Sequence, residues 1–172
     1  MKKKLLVMIL AAASIVVVSC SKDEGLADTP NTVTLAKHWF VRVQGPASTS
    51  NYALFSTRTT YVTEVVDTFG TQAQRMLADT ITLDDHNLLS PTLRANVRIS
   101  SATRTFGEGM YRNWHSSDSL ILKEGKMFRA AARSRSGNTV DSIYLRYAFK
   151  SDPTTEYILK GHERTGLLAD EY

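Results

Sequence analysis

SIYLRYAF, residues 142–149, decides the fold class. Ile143, Leu145, Tyr147 and Phe149 fall on one side of an extended chain, and Tyr144 and Arg146 fall on the other. Successive side chains of a strand point to opposite faces, so this alternation marks a strand with one buried face. A helix would scatter the same four apolar residues around its axis. The expectation is that Ile143, Leu145, Tyr147 and Phe149 share a core, since a one-residue slip would expose them all.

The same alternation recurs along the chain. Trp39–Gln44 groups Trp39, Val41 and Val43, and Arg94–Ile99 groups Ala95, Val97 and Ile99. Tyr52–Thr60, Arg75–Leu83, Ser119–Leu122, Lys126–Arg133 and Thr155–Lys160 carry fainter versions. Turn-forming residues punctuate them at Gln44-Gly45-Pro46, Asp84-Asp85-His86-Asn87, Lys123-Glu124-Gly125-Lys126, Ser136-Gly137-Asn138 and Ser151-Asp152-Pro153. Leu120–Phe128 reads as a hairpin around Glu124-Gly125, and so does the pair flanking Arg133–Asn138. Thr32–His38 reads as one helical turn leading into the first strand. The total is about eight strands joined by short connections. Neither βαβ spacing nor a heptad or solenoid repeat appears. The expected fold is all-β, one domain over residues 32–172. It is an antiparallel up-and-down barrel, which removes sheet edges, with an open β-sandwich as the alternative.

The first residues point elsewhere. Lys2, Lys3 and Lys4 precede an apolar or small run from Leu5 to Val18, 14 residues long. That is short of the roughly 20 needed to span a bilayer and fits a signal-peptide core. The run ends in Val17-Val18-Ser19-Cys20, which resembles the bacterial lipobox. That resemblance implies cleavage after residue 19 and diacylglycerol on the Cys20 thiol. Cys20 is the single cysteine, so a mature chain of 153 residues would hold no disulfide and would rely on its core. Residues 20–31 read as a flexible tether, and Ser21-Lys22-Asp23-Glu24 resembles an export signal for surface lipoproteins. The expected location is the outer membrane of the cell envelope, in the periplasmic leaflet or at the surface. Without Lys2–Lys4 the chain has 18 Lys and Arg against 17 Asp and Glu, a net charge of +1. Such a balance gives no reason to expect nucleic acid.

Catalytic and metal motifs are scarce. His38, His86, His115 and His162 show no zinc spacing. The sequence has no GxSxG elbow and no cofactor fingerprint. His115 with Asp118, among Ser116, Ser117 and Ser119, is an acid–histidine pairing close in sequence, as is His162-Glu163; it reads as a hydrogen-bonded turn. Asp84-Asp85, with Asp79 upstream, lacks the ligand spacing of a calcium loop and reads as a solvated hairpin. Lys123, Lys126, Arg129, Arg133 and Arg135 form a local basic cluster, read as a solvent face or as a contact for phosphate headgroups or an acidic glycan.

Three segments carry a family resemblance: Leu35-Ala36-Lys37-His38-Trp39-Phe40-Val41, Asp141-Ser142-Ile143, and Gly161-His162-Glu163-Arg164-Thr165-Gly166 followed by Asp170-Glu171. In this order they resemble the family called lipid-binding putative hydrolase, small lipoproteins of Gram-negative bacteria with a lipocalin-like (calycin) barrel. The wider lipocalin pattern has Gly two residues before the Trp, where this chain has Lys37. The resemblance implies the barrel and a small apolar or amphipathic ligand. Candidate lining residues are Trp39, Phe55, Trp114, Tyr147 and Tyr157, with Phe149 beside them. Arg164 either faces an open mouth, where it would bind a ligand carboxylate or phosphate, or, as the resemblance implies, forms a latch by packing over Trp39 and closing one barrel end. In that reading Gly161 and Gly166 enter and leave the turn at positive φ, and Asp170-Glu171 lies in solvent. Two other functions stay open: an accessory or structural surface lipoprotein acting through protein–protein contacts, and a hydrolase, for which no catalytic motif is present.

Overall fold

The alternation at 142–149 sits inside β8 (Thr139–Phe149), where Ile143, Leu145, Tyr147 and Phe149 are all buried. The computed structural model describes residues 32–46, 51–65 and 68–172. The expected signal segment, Cys20 and tether lie outside them. The other strands are β1 (Lys37–Gln44), β2 (Ala53–Val65), β3 (Gln72–Asp84), β4 (Arg94–Ser100), β5 (Thr105–Phe106), β6 (Gly109–Arg112), β7 (Ser119–Arg133) and β9 (Asp152–Glu163). A short 3-10 turn, Val33–Leu35, leads into β1.

All pairings are antiparallel, in the order β5-β4-β3-β2-β1-β9-β8-β7-β6, and β5 also pairs with β7 to close the ring. Two short pieces, β5 and β6, share the gap between β4 and β7. The result is a closed barrel with eight strand positions, as expected, and not an open sandwich. Closure pairs the barrel wall all the way round. Its core draws on Trp39, Val41, Phe55, Leu83, Val97, Phe106, Leu122, Leu145, Tyr147 and Leu159, so every long strand contributes and the core is complete within the described residues.

Two expectations about turns are corrected. Glu124-Gly125 does not turn: Ser119–Leu122 and Lys126–Arg133 are one strand, β7, with a register shift between Leu122 and Glu124. Gly125 is there because Phe106 and Leu145 pack over it; a Cβ would lie 2.8 Å from both side chains. Asp84-Asp85 is not a solvated hairpin either. Both carboxylates are buried, and the chain continues through a longer loop in which His86 and Asn87 take φ of 54° and 60°.

Opposite ends of the barrel are finished differently. At the lower end, where β1 begins, Lys37 Nζ reaches Asp141 Oδ2 at 2.9 Å and Glu163 Oε2 at 2.8 Å. Arg104, from the β4–β5 turn, donates to the same Asp141 oxygen at 2.7 Å. At the upper end, the β3–β4 loop, the β6–β7 loop and the β8–β9 turn converge.

Candidate functional site

Three aromatic rings form a layer under the upper end. Tyr147 stacks on Tyr157 with centroids 5.5 Å apart, and Phe149 meets both edge-on at 5.8 and 5.7 Å. Above them opens a cleft of about 390 Å³, lined by Pro91, Thr92, Ser116, Asp118, Phe149, Ser151 and Tyr157 together with Ser90 and Asp152. Its volume falls in the range of small-ligand sites, and its apolar floor with polar rim is their usual chemistry. The Tyr147 hydroxyl is buried with no protein partner. Burial, reinforced by the nearby Asp85 charge, raises its pKa, so the hydroxyl stays protonated and can donate a hydrogen bond.

The predicted lining residues divide. Tyr157 and Phe149 line the cleft and Tyr147 supports it. Trp39 and Phe55 lie opposite each other on β1 and β2, both fully buried in the core cluster, and neither lines the cleft. Trp39 Nε1 donates to Thr57 Oγ1 at 3.0 Å, and that hydroxyl donates onward to the Leu35 carbonyl at 2.6 Å. Trp114 is not interior: it follows the short strand β6, is 52% exposed and carries the Arg112 guanidinium 4.2 Å from its ring.

The upper end also holds a charged cluster that short-range sequence reading misses. Asp85 accepts from the backbone N–H of Asn87, Leu89 and Leu93, tying the β3–β4 loop to the barrel. His115 Nδ1 lies 3.2 Å from Asp85 Oδ1, and its Nε2 is 4.0 Å from Asp84 Oδ1. Asp84 in turn pairs with Arg58 and, at 3.6 Å, with Arg94. Ligand atoms of Asp84, Asp85 and His115 lie within 4.8 Å of one another. Both guanidiniums pair with Asp84, and a cation there would meet them; Asp85 is held by three backbone N–H groups and faces His115. The cluster is a structural clamp on the loop.

The partner of His115 is thus Asp85, thirty positions away, and not Asp118. Asp118 instead caps the β8–β9 turn through the Ser151 hydroxyl and N–H, which hold its carboxyl below the usual range. Among the described residues no serine hydroxyl is hydrogen-bonded to a histidine nitrogen.

At the chain's end the expected latch exists with other parts. Arg164 lies over Phe40 at 5.9 Å and pairs with Glu171 at 2.7 Å. Trp39 faces inward where its neighbour Phe40 faces outward, so Arg164, on the outside, does not stack on the indole as expected. The latch is Asp170 and Tyr172. Asp170 is fully buried, contrary to expectation, and accepts from the Ser136 N–H and the Thr165 hydroxyl. Burial alone would raise its pKa, but those hydrogen bonds outweigh burial and hold it at about 2. Tyr172 packs on Phe40 and Tyr52, with centroids 5.0 and 4.2 Å away, and its hydroxyl meets His162 Nε2 at 3.2 Å. Gly166 takes the expected positive φ of 77°, whereas Gly161 is a strand residue.

A family model described as lipid-binding putative hydrolase matches residues 26–168. The chain belongs to that family. Among curated proteins no relative matches it. Membership in the lipid-binding putative hydrolase family, together with the closed barrel, makes this a lipid-binding protein. The described cleft that meets the aromatic layer lies at the barrel's upper end.

Proposed function

We propose that the protein is a membrane-anchored lipoprotein of the outer membrane that takes a small apolar or amphipathic ligand in the upper cleft. The observation that carries this reading is the floor made by Phe149 and Tyr157 under a rim of serine and aspartate side chains. In this reading the ligand enters the upper end of the barrel and rests on the aromatic layer. Apolar atoms lie on the rings and a polar end meets the rim. Burying one acyl segment of a few carbons contributes about 0.8 kcal/mol per CH₂.

Filling the cleft tests this. In Thr92→Trp the indole occupies the space above Tyr157. A dansyl-labelled fatty acid brightens on binding the parent chain, and the variant is expected to lose that signal at least tenfold at unchanged melting temperature. Equal brightening with the variant would move the ligand elsewhere. The anchor is tested separately. Cys20→Ala is expected to shift the protein from the membrane pellet to the soluble fraction, and a variant that still pellets would remove the lipid anchor from the reading.

A second reading, accessory contacts with another protein, draws on the β2–β3 hairpin. Among the described residues its outer half, beyond Thr60, pairs only with itself, and it exposes Tyr61, Val65 and Phe69.

A further inference from the structure

The outer face of β1, β9, β8 and β7 carries a pattern unlike the rest of the surface. The strand register aligns Arg42, Lys160, Tyr144 and Lys126 side by side across four strands. The next row aligns Phe40, His162, Ser142 and Phe128 in the same way. Four cations on or beside these rows rest on aromatic rings. Arg42 lies 4.1 Å from the Tyr52 centroid, Lys126 5.4 Å from Phe128, Lys160 5.8 Å from Tyr144 and Arg135 5.8 Å from Tyr172. Between Arg42 and Arg135 the surface sinks into a hollow of about 600 Å³ walled by Tyr52, Tyr172 and Asn51.

Carboxylates near this face are neutralised by other cations. Glu124 and Glu156 pair with Arg146 and Lys123, and Glu171 pairs with Arg164. Arg42, Lys126 and Lys160 have rings for neighbours and no ion-pair partner among the described residues, so their charge points outward uncancelled. A chain that is nearly neutral without Lys2–Lys4 thus concentrates positive charge on one face.

We propose that this face docks on a membrane surface of anionic phospholipids, with the Arg42–Arg135 hollow seating one headgroup phosphate. The chemistry is specific to such a surface. Tyrosine rings, apolar in body and polar at the hydroxyl, settle at the depth of the headgroups. Each basic residue near an anionic leaflet adds attraction that salt screens. Guanidinium forks match phosphate oxygens in pairs. This inference goes beyond the cleft reading and stands apart from it, since the cleft opens at the barrel's upper end and the docking face is its side wall.

Sedimentation with vesicles tests it, using the chain from Ser21 onward, which keeps the complete core and lacks both Cys20 and the Lys2–Lys4 charges. The parent chain is expected to pellet with phosphatidylcholine vesicles containing phosphatidylglycerol, to remain in solution with phosphatidylcholine alone, and to release as salt is raised. Arg42→Glu/Lys160→Glu is expected to weaken that binding at least tenfold. Lys126→Gln/Lys160→Gln, which leaves the Arg42–Tyr52 contact in place, guards against a folding defect and is expected to weaken it severalfold. Arg98→Glu/Lys150→Glu changes net charge by the same amount away from this face and is expected to bind as the parent does. Thr92→Trp, which plugs the cleft, is also expected to bind as the parent does. Equal binding to both vesicle types, no binding to either, or an equal loss in the Arg98/Lys150 variant overturns the proposal.

Discussion

Asp141→Ala is expected to cost about 3–5 kcal/mol of unfolding free energy, the range for removing one partner of a buried charge cluster. Asp141 starts the inward row of β8 and is buried at the lower barrel end. One oxygen takes both Lys37 and Arg104, and the other accepts the Ala130 N–H at 2.8 Å. That single carboxylate therefore joins β8 to the start of β1, to the β4–β5 turn and to the irregular part of β7. Ala130 and Arg104 both take positive φ, 50° and 57°, conformations that need outside support. Alanine leaves the guanidinium of Arg104, 15% exposed, without its carboxylate and the Ala130 N–H without its acceptor. Arg146→Ala, on the outer face of the same strand, removes only partly exposed ion pairs and should cost below about 1 kcal/mol. Equilibrium denaturation of the two variants measures the difference, and comparable losses would remove Asp141 as the lower plug.

The same group gives a pH signature. Burial pushes the Asp141 carboxyl up, but the Ala130 N–H, Arg104 and Lys37 together outweigh it and bring it to about 2 from the usual 3.8. A depressed folded-state pKa means that the unfolded chain takes up the proton first. The contribution is complete above about pH 4 and disappears as pH falls through 2. It amounts to roughly 2 kcal/mol at neutral pH. Asp141→Asn should flatten the stability curve in that window.

Legibility in the sequence followed the range of the interaction. Alternation in β1, β4 and β8 is a property of neighbouring residues, and those faces were readable directly. Gly125 was not, because a glycine in a turn and a glycine under a packed ring look identical until Phe106 and Leu145 are placed over it. The lengths of β2 and β3 were hidden because residues 61–65 and 72–76 pair with each other beyond the barrel and lack a buried face to mark them. At the candidate site, Phe149, Tyr147 and Tyr157 were found from their alternation, whereas the Asp85–His115 pair and the Arg58–Asp84–Arg94 cluster join strands and loops far apart in sequence. The segment GHERTGLLADEY announced a latch, but not which residues close it. Arg164 was the residue with the obvious chemistry, and the inside–outside alternation of Trp39 and Phe40 redirected it.

Gly161→Ala is expected to destabilise the barrel by about 3 kcal/mol, the upper part of the overpacking range. Gly161 has no positive φ, so the reason for glycine is not a turn. It lies between Val41 on β1 and Ile143 on β8. A Cβ there would stand 2.3 Å from the Phe40 carbonyl oxygen and 2.9 Å from the Val41 Cα. These are backbone atoms of a paired strand, and moving them lifts β1 off β9 beside Trp39, the largest side chain in the core. Gly125→Ala makes the informative comparison. Its Cβ would also come within 2.8 Å of neighbours, but those are the Leu145 and Phe106 side chains, which can yield by small rotations. The cost there should be nearer 1 kcal/mol. Thermal unfolding of both variants separates the two causes. If backbone contact governs, Gly161→Ala melts well below Gly125→Ala. If crowding of the apolar core governs, the order reverses, because Gly125 sits deeper among buried side chains.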